Sequence, residues 1–353
     1  MYITEEDLLR KNNNFDVLRL TAALFVFISH AYSIRDWGKY ELLSRLTGNR
    51  YLFSSLGLSI FFSMSGFLVC RSMVTAISIK QYLLNRFLRI WPAYATCTLL
   101  CILFIGLLFT NLPVLKFITH PQTLSFFLIN ISLLSSSFFL PGVFDNRAIN
   151  PSIWTIPIEV RLYLLLLFVY LVAKLRFRQW LLLILISIWV ARLFIPATFQ
   201  HTLLKQHFLY SINFGVYFLT GACLYLYKEK IAFTFYIWLI LFIYWLTLHL
   251  WFPSYVHEAE HPFMVYSFMW AAIRWYTVPF IKADISYGFY LYAAPIQKVI
   301  QLTFGEHINF TEYLLITGFS TIIVATLSWH LIEKKALSLK YAFRHKQVPT
   351  TIT

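Results

Sequence analysis

The chain has 353 residues, of which 59% are hydrophobic, 19% aromatic and only 12% charged, and its mean hydropathy is +0.67. A soluble domain carries about 25% charged residues. This composition therefore excludes a water-soluble globular protein and predicts an all-α polytopic membrane protein of about ten transmembrane helices. The net charge of +14 and pI near 9.6 do not indicate nucleic acid as a partner. The Lys and Arg residues cluster in short connections between apolar runs, as the positive-inside rule requires of cytoplasmic loops.

Residues 1–14 form a short polar segment, 15–333 one transmembrane domain, and 334–353 a basic tail. Apolar runs read as spans at 15–34, 51–70, 88–109, 152–173, 179–196, 208–227, 231–251, 263–281, 285–303 and 312–332. The stretch QTLSFFLINISLLSSSFFL (122–140) fits either a further span or a segment lying at the outer face. Charge arbitrates between the two. With 122–140 outside the count, Arg71, Lys80, Arg86, Arg89, Lys174, Arg176, Arg178, Lys228, Lys230, Lys282 and the basic tail all fall on one side. Both termini are then cytoplasmic. No cleavable signal peptide is expected, because Arg19 interrupts the first run and no small-residue cleavage site follows it. Cys70, Cys97, Cys101 and Cys223 lie in or beside apolar runs without a CxxC pair, which predicts neither structural disulfides nor a metal site.

The first span, RLTAALFVFISH (19–30), holds an arginine and a histidine eleven residues apart. Eleven steps of 100° leave about 20°, so both side chains share one helix face, roughly 16 Å apart along the axis. An ionisable group at bilayer depth costs about 2.5–3.5 kcal/mol, so that face is expected to look into the bundle or a wet cavity. Asp16 stands three residues before Arg19, within pairing distance. The plainer alternative is a snorkelling Arg19 and a His30 hydrogen-bonded between helices. In SIWTIPIEVRLY (152–163), Glu159 lies near the start of a span, five residues after Trp154 and four before Tyr163. It forms either a structural clamp with Arg161 or a cavity with His30 and nearby tyrosines. Charge and counting put His30 and Glu159 at similar depth in the outer half of the membrane.

Arg86 and Arg89 in NRFLRIWPAY lie three apart on one helix face at the cytoplasmic mouth. Two guanidinium forks there suit phosphates held bidentately, or else the headgroups of membrane lipids. The string HEAEH (257–261) fits the H-E-x-x-H pattern of zinc hydrolases. It is expected in a short outer loop bracketed by Pro253 and Pro262, with no third ligand evident, and no metal is assigned to it.

Six stretches in order carry a family resemblance: FDVLRLTAALFVFISH, IFFSMSGFL, RFLRIWPAY, SIWTIPIEVRLYLL, DISYGFYLYAAPI and SWHLIEKKAL. Together they resemble the acyltransferase family 3 membrane proteins from residue 15 to 337. Many relatives carry a histidine shortly after the SYG motif; Tyr292, Ala293, Ala294 and Pro295 stand there instead, so no second catalytic histidine is assigned.

The resemblance implies a multi-pass enzyme of the bacterial inner membrane. Such enzymes transfer an acyl group, usually acetyl from cytoplasmic acetyl-CoA, to a sugar hydroxyl of O-antigen, exopolysaccharide or a lipid-linked glycan. On that reading His30 is the base and Glu159 orients the imidazole or stabilises its cation. An acetyl-His30 relay is a second route. Arg86 and Arg89 hold the CoA phosphates, and Ser65 and Gly66 admit the pantetheine arm or simply pack helices closely. Asp16, Arg19, Trp154 and Tyr163 position these groups. Succinyl or another short acyl group, and a glucan or peptidoglycan acceptor, remain open. So does a transporter or flippase, which would use ionisable residues as a pathway.

Overall fold

The computed structural model describes residues 2–9, 12–193, 203–252, 256–278, 283–305 and 307–345. Among them the chain is helical and forms no strand, in agreement with the all-α expectation. The long helices are α1 (Phe15–Ile34), α2 (Phe53–Val74), α3 (Ile79–Leu100), the shorter α4 (Pro121–Ile131), α5 (Thr155–Ala173), α6 (Phe177–Leu193) and α7 (Leu203–Leu226). They are followed by α8 (Phe235–Trp251), α9 (Val256–Arg274), α10 (Ser286–Phe304), α11 (Phe310–Ser328) and α12 (Lys334–His345). Five stretches combine bilayer length with high hydropathy: Phe15–Ile34, Phe53–Val74, Ile79–Phe109, Pro151–Ala191 and Phe310–Lys340. The fourth contains α5 and nearly all of α6, joined by a single turn at Lys174–Arg176.

Two expectations meet the structure differently. The ambiguous 122–140 stretch is helical only through α4, whose 11 residues are too short to cross a bilayer. Past it, Asn130 turns the chain by exchanging hydrogen bonds with the Ser137 backbone, accepting from N at 2.9 Å and donating to O at 3.0 Å. HEAEH, expected in a loop, instead opens α9, and Pro262 lies inside that helix. A proline removes one helical hydrogen bond but does not end a helix whose face is buried. Glu260 and His261 supply that face: the Tyr217 hydroxyl donates to Glu260 Oε1 at 3.1 Å, and its ring packs 4.5 Å from His261. Pro253 lies outside the described residues.

The chain divides into two compact units. The first contains Met1–Ala22, Ser55–Thr75 and Arg161–Ile281. Its N-terminal segment is clasped by cations from three places. Glu5 pairs with Lys228 and, at 3.1 Å, with Arg71, while Asp7 pairs with Arg274 at 3.1 Å. The Lys228 hydrogen bond, with help from Arg71, holds the Glu5 carboxyl below its ordinary pKa despite partial burial. In this unit α2 and α7 approach backbone to backbone. A Cβ at Gly66 would stand 1.8 Å from the Phe218 carbonyl oxygen, and one at Gly221 would stand 2.1 Å from that of Ser63. Small residues permit such contact in lipid, where dispersion rather than water exclusion joins helices.

The second unit contains Ala23–Ser54, Ala76–Val160 and Lys282–Thr353. Its axis is α10, most of whose residues are buried, including Gly288, Tyr290, Tyr292, Pro295 and Gln297. Gln297 donates to the Phe27 carbonyl of α1 at 2.9 Å, and its own carbonyl accepts from Tyr313 of α11 at 3.0 Å. A Cβ at Gly288 would lie 3.2 Å from Ala325 Cα, so α10 and α11 also pack closely. Trp91 and Tyr94 of α3 bond to Ile131 O and Asn130 Oδ1, at 3.0 and 3.1 Å, which anchors α4.

Candidate active site

His30 sits one turn before the end of α1, partly buried, and its Nδ1 lies 3.1 Å from Ser152 Oγ. Ser152 belongs to the tight turn Pro151–Trp154, which leads into α5. That turn is held on three sides. Asn150 Oδ1 accepts from Ser152 N at 3.2 Å while its Nδ2 donates to the Leu291 carbonyl at 2.9 Å. The Tyr290 hydroxyl donates to the Ser152 carbonyl at 2.6 Å and stands 2.6 Å from Thr155 Oγ1. The SYG-containing stretch of α10 thus builds the seat for the residue that holds His30. Tyr292, Ala293, Ala294 and Pro295, just past the SYG motif, are buried.

Ser152 escaped sequence reasoning, although it stands two residues before Trp154 in the quoted motif. Its value lies in fixing which imidazole nitrogen is engaged: with Nδ1 on Ser152, Nε2 makes no hydrogen bond among the described residues. Glu159, expected behind the imidazole, follows Ser152 by seven residues, about two helical turns. It lies within electrostatic reach of Tyr287 and Tyr290 on α10. Arg161, its possible clamp partner, is exposed. Trp154, partly buried, ends the turn that carries Ser152.

The other candidates separate into pairs. Arg19 and Asp16 are joined at 3.0 Å, as their spacing predicts. Ser65 shares a hydrogen bond of 3.1 Å with the Tyr163 hydroxyl, and Gly66 lies at the helix crossing described above. Arg89 is bound to Asp284 at 2.8 Å, with its guanidinium 5.7 Å from the Tyr287 ring centre. Asp284 also accepts from Ser286 Oγ at 2.6 Å, and Tyr287 donates to the Ile90 carbonyl at 3.0 Å. The second arginine of R-x-x-R and the aspartate of D-x-S-Y-G therefore form one ion pair that ties α3 to the start of α10. Arg86 lies one turn earlier on α3, partly buried. All four cysteines are buried free thiols.

Two outcomes follow directly from this geometry. Ser152→Ala removes one hydrogen bond, worth about 0.5–1.5 kcal/mol, and is expected to lower kcat about two- to tenfold. Ser152→Thr, which keeps the hydroxyl, restores it; an alanine variant with wild-type kcat would remove Ser152 from the site. Gly66→Ala drives a methyl into the Phe218 carbonyl. Overpacking of this kind costs about 1–3 kcal/mol or more, so detergent-solubilised Gly66→Ala should melt several degrees lower than wild type. Unchanged melting with a raised KM for acyl-CoA would return Gly66 to the donor site.

The chain matches the family described as an acyltransferase domain over residues 12–330. It is 26% identical to an O-acetyl transferase of Shigella phage Sf6 over 358 aligned positions, which cover 94% of this chain and 97% of that protein. Nodulation protein 10 of Rhizobium leguminosarum bv. viciae is 30% identical over 164 positions, 44% of this chain and 43% of that protein. No solved structure matches the chain. The match sets aside the transporter alternative: this chain belongs to the acyltransferase 3 family of membrane proteins and is an acyltransferase of non-aminoacyl groups.

Proposed function

We propose that the protein is an O-acetyltransferase of a bacterial inner membrane. It moves acetyl from cytoplasmic acetyl-CoA to a sugar hydroxyl of an O-antigen, an exopolysaccharide or a lipid-linked glycan. The observation that carries this reading is the half-engaged imidazole of His30, with Nδ1 on Ser152 and Nε2 without a hydrogen-bond partner among the described residues. The name of the phage Sf6 relative, an O-acetyl transferase, supports oxygen as the acceptor atom and acetyl as the group.

In the proposed reaction Nδ1–H donates to Ser152 Oγ, which leaves the Nε2 lone pair as the base. Nε2 takes the proton of the sugar hydroxyl as its oxygen attacks the thioester carbonyl. The new C–O bond forms, the C–S bond breaks, and the imidazolium proton passes to the departing CoA thiolate. Glu159 contributes negative charge to the side of α5 that faces Tyr290 and favours the imidazolium. Arg86 is assigned to the CoA phosphates, at the end of α3 that positive-inside reasoning places in the cytoplasm. Arg89 serves that surface indirectly, through Asp284. Arg19 with Asp16, and Ser65 with Tyr163, position the donor.

Mild alkali releases O-linked acetate from surface glycans, and comparing a deletion strain with its parent tests the reading. Acetate should disappear in the deletion and return with the wild-type gene, but not with His30→Ala. Equal acetate in parent and deletion sinks the proposal. Release of succinate in place of acetate would change the acyl group transferred.

A further inference from the structure

A second feature of the same unit takes no part in the chemistry described so far. A cavity of about 120 Å³ is walled by Ile34 at the end of α1, by Phe144, Asp145 and Arg147, and by Lys298 and Gln301 of α10. Ile34 follows His30 by four residues, so it stands one turn further along the same face, roughly 6 Å from the imidazole along the axis. The turn holding Asp145 and Arg147 runs on to Asn150 and Ser152, the residues that seat His30. Its Phe144 and Asp145 adopt left-handed backbone, with φ of 54° and 50°. On the other wall Gln297 fastens α10 to Phe27 of α1, which holds Lys298 and Gln301 in register with the cavity.

Among the described residues the lining is chemically unfinished. Two cations share the wall with one carboxylate, Asp145. Neither the Arg147 nor the Lys298 side chain makes a hydrogen bond or ion pair with a described residue; the charged neighbours of Lys298 are Arg147 and, more weakly, Asp36. Arg147 is exposed and Lys298 half-buried, and two like charges side by side at a cavity mouth favour an anion that joins them. Gln301 Oε1 is buried and accepts no hydrogen bond among the described residues, although buried acceptors are normally satisfied. A cationic pair beside an orphaned amide oxygen suits a ligand that offers an anionic oxygen cluster and a hydroxyl together.

We propose that this cavity is the anchoring subsite for the acceptor glycan. It receives a phosphate or carboxylate group of the glycan on Arg147 and Lys298 and a neighbouring sugar hydroxyl on Gln301, which presents the reactive hydroxyl to His30. This rests on the O-acetyltransferase reading and deepens it: the acceptor is an anionic glycan, and the cavity selects for its charge.

The test uses the full-length protein in nanodiscs with labelled acetyl-CoA and three acceptors: a neutral oligosaccharide, the same chain with a glucuronate residue, and the same chain as its 1-phosphate. A wild-type KM at least about tenfold lower for one of the charged acceptors than for the neutral one is expected. Arg147→Gln and Lys298→Gln should each erase most of that difference, whereas Arg147→Lys and Lys298→Arg retain it. KM for acetyl-CoA, moving less than twofold, is the internal control for folding. Equal KM values for charged and neutral acceptors, or glutamine variants that keep the preference, overturn the subsite. An acceptor KM that follows the phosphatidylglycerol content of the nanodisc instead of acceptor charge assigns the two cations to lipid headgroups and also overturns it. A wild-type protein that acetylates none of the three, yet acetylates a non-sugar hydroxyl, defeats the underlying function and the subsite with it.

Discussion

His30→Ala should abolish acyl transfer while the protein remains folded. A positioned general base contributes about 10²–10⁴-fold to a reaction of this kind, and no second histidine occupies the SYG region, where Tyr292–Pro295 stand. The folded state loses little. Removing the imidazole deletes one hydrogen bond, to Ser152 Oγ, and the turn that carries Ser152 keeps its bonds to Asn150 and Tyr290. The measurement is initial-rate transfer from labelled acetyl-CoA, with thermal melting of the same sample as the control. Activity above about a tenth of wild type, in a sample melting normally, would show that the base lies elsewhere. Incubating wild type with labelled acetyl-CoA and no acceptor separates direct transfer from a relay. Acid-quenched protein labelled at His30 would mean that the imidazole carries the acetyl group.

The second large effect is on stability. Arg89→Ala leaves Asp284, 8% exposed, without its guanidinium partner. Breaking a buried ion pair by removing one member costs about 3–5 kcal/mol, because the remaining charge is uncompensated. Arg89→Ala should therefore melt far below wild type or fail to purify as a single species. Asp284→Asn in the same background removes the buried carboxylate charge and should recover much of the loss, giving a double-mutant cycle with strong coupling. If Arg89→Ala melts like wild type and only raises KM for acetyl-CoA, the arginine is a donor ligand and the ion pair with Asp284 contributes little.

The same pair shows where sequence reasoning stops. Arg86 and Arg89 stand out in the sequence because two arginines three apart at a membrane boundary are legible from charge alone. What Arg89 does is set by Asp284, 195 residues away, and no local pattern joins the two. His30 and Ser152 are likewise separated by 122 residues. The spacing of Arg19 and His30 revealed a shared helix face, but not the hydroxyl that holds one ring nitrogen. HEAEH was misplaced for the opposite reason. Two prolines marked a loop by rules learned from exposed chain, whereas burial of Glu260 and His261 against Tyr217 keeps α9 helical through Pro262.

By itself the sequence determined the solvent and the class. A chain that is 59% hydrophobic and 12% charged must satisfy its backbone inside lipid, and long apolar runs do so only as helices. Its six ordered motifs likewise pointed to acyl transfer. Only the tertiary structure decided the pairings: Ser152 on His30, Asp284 on Arg89, Gly66 against Phe218, and two cations around one cavity that Ile34, four residues past His30, helps to wall. In a membrane every helix is apolar on most of its surface, so periodicity says little about which face meets which neighbour. The few polar groups find their partners only once the helices have packed.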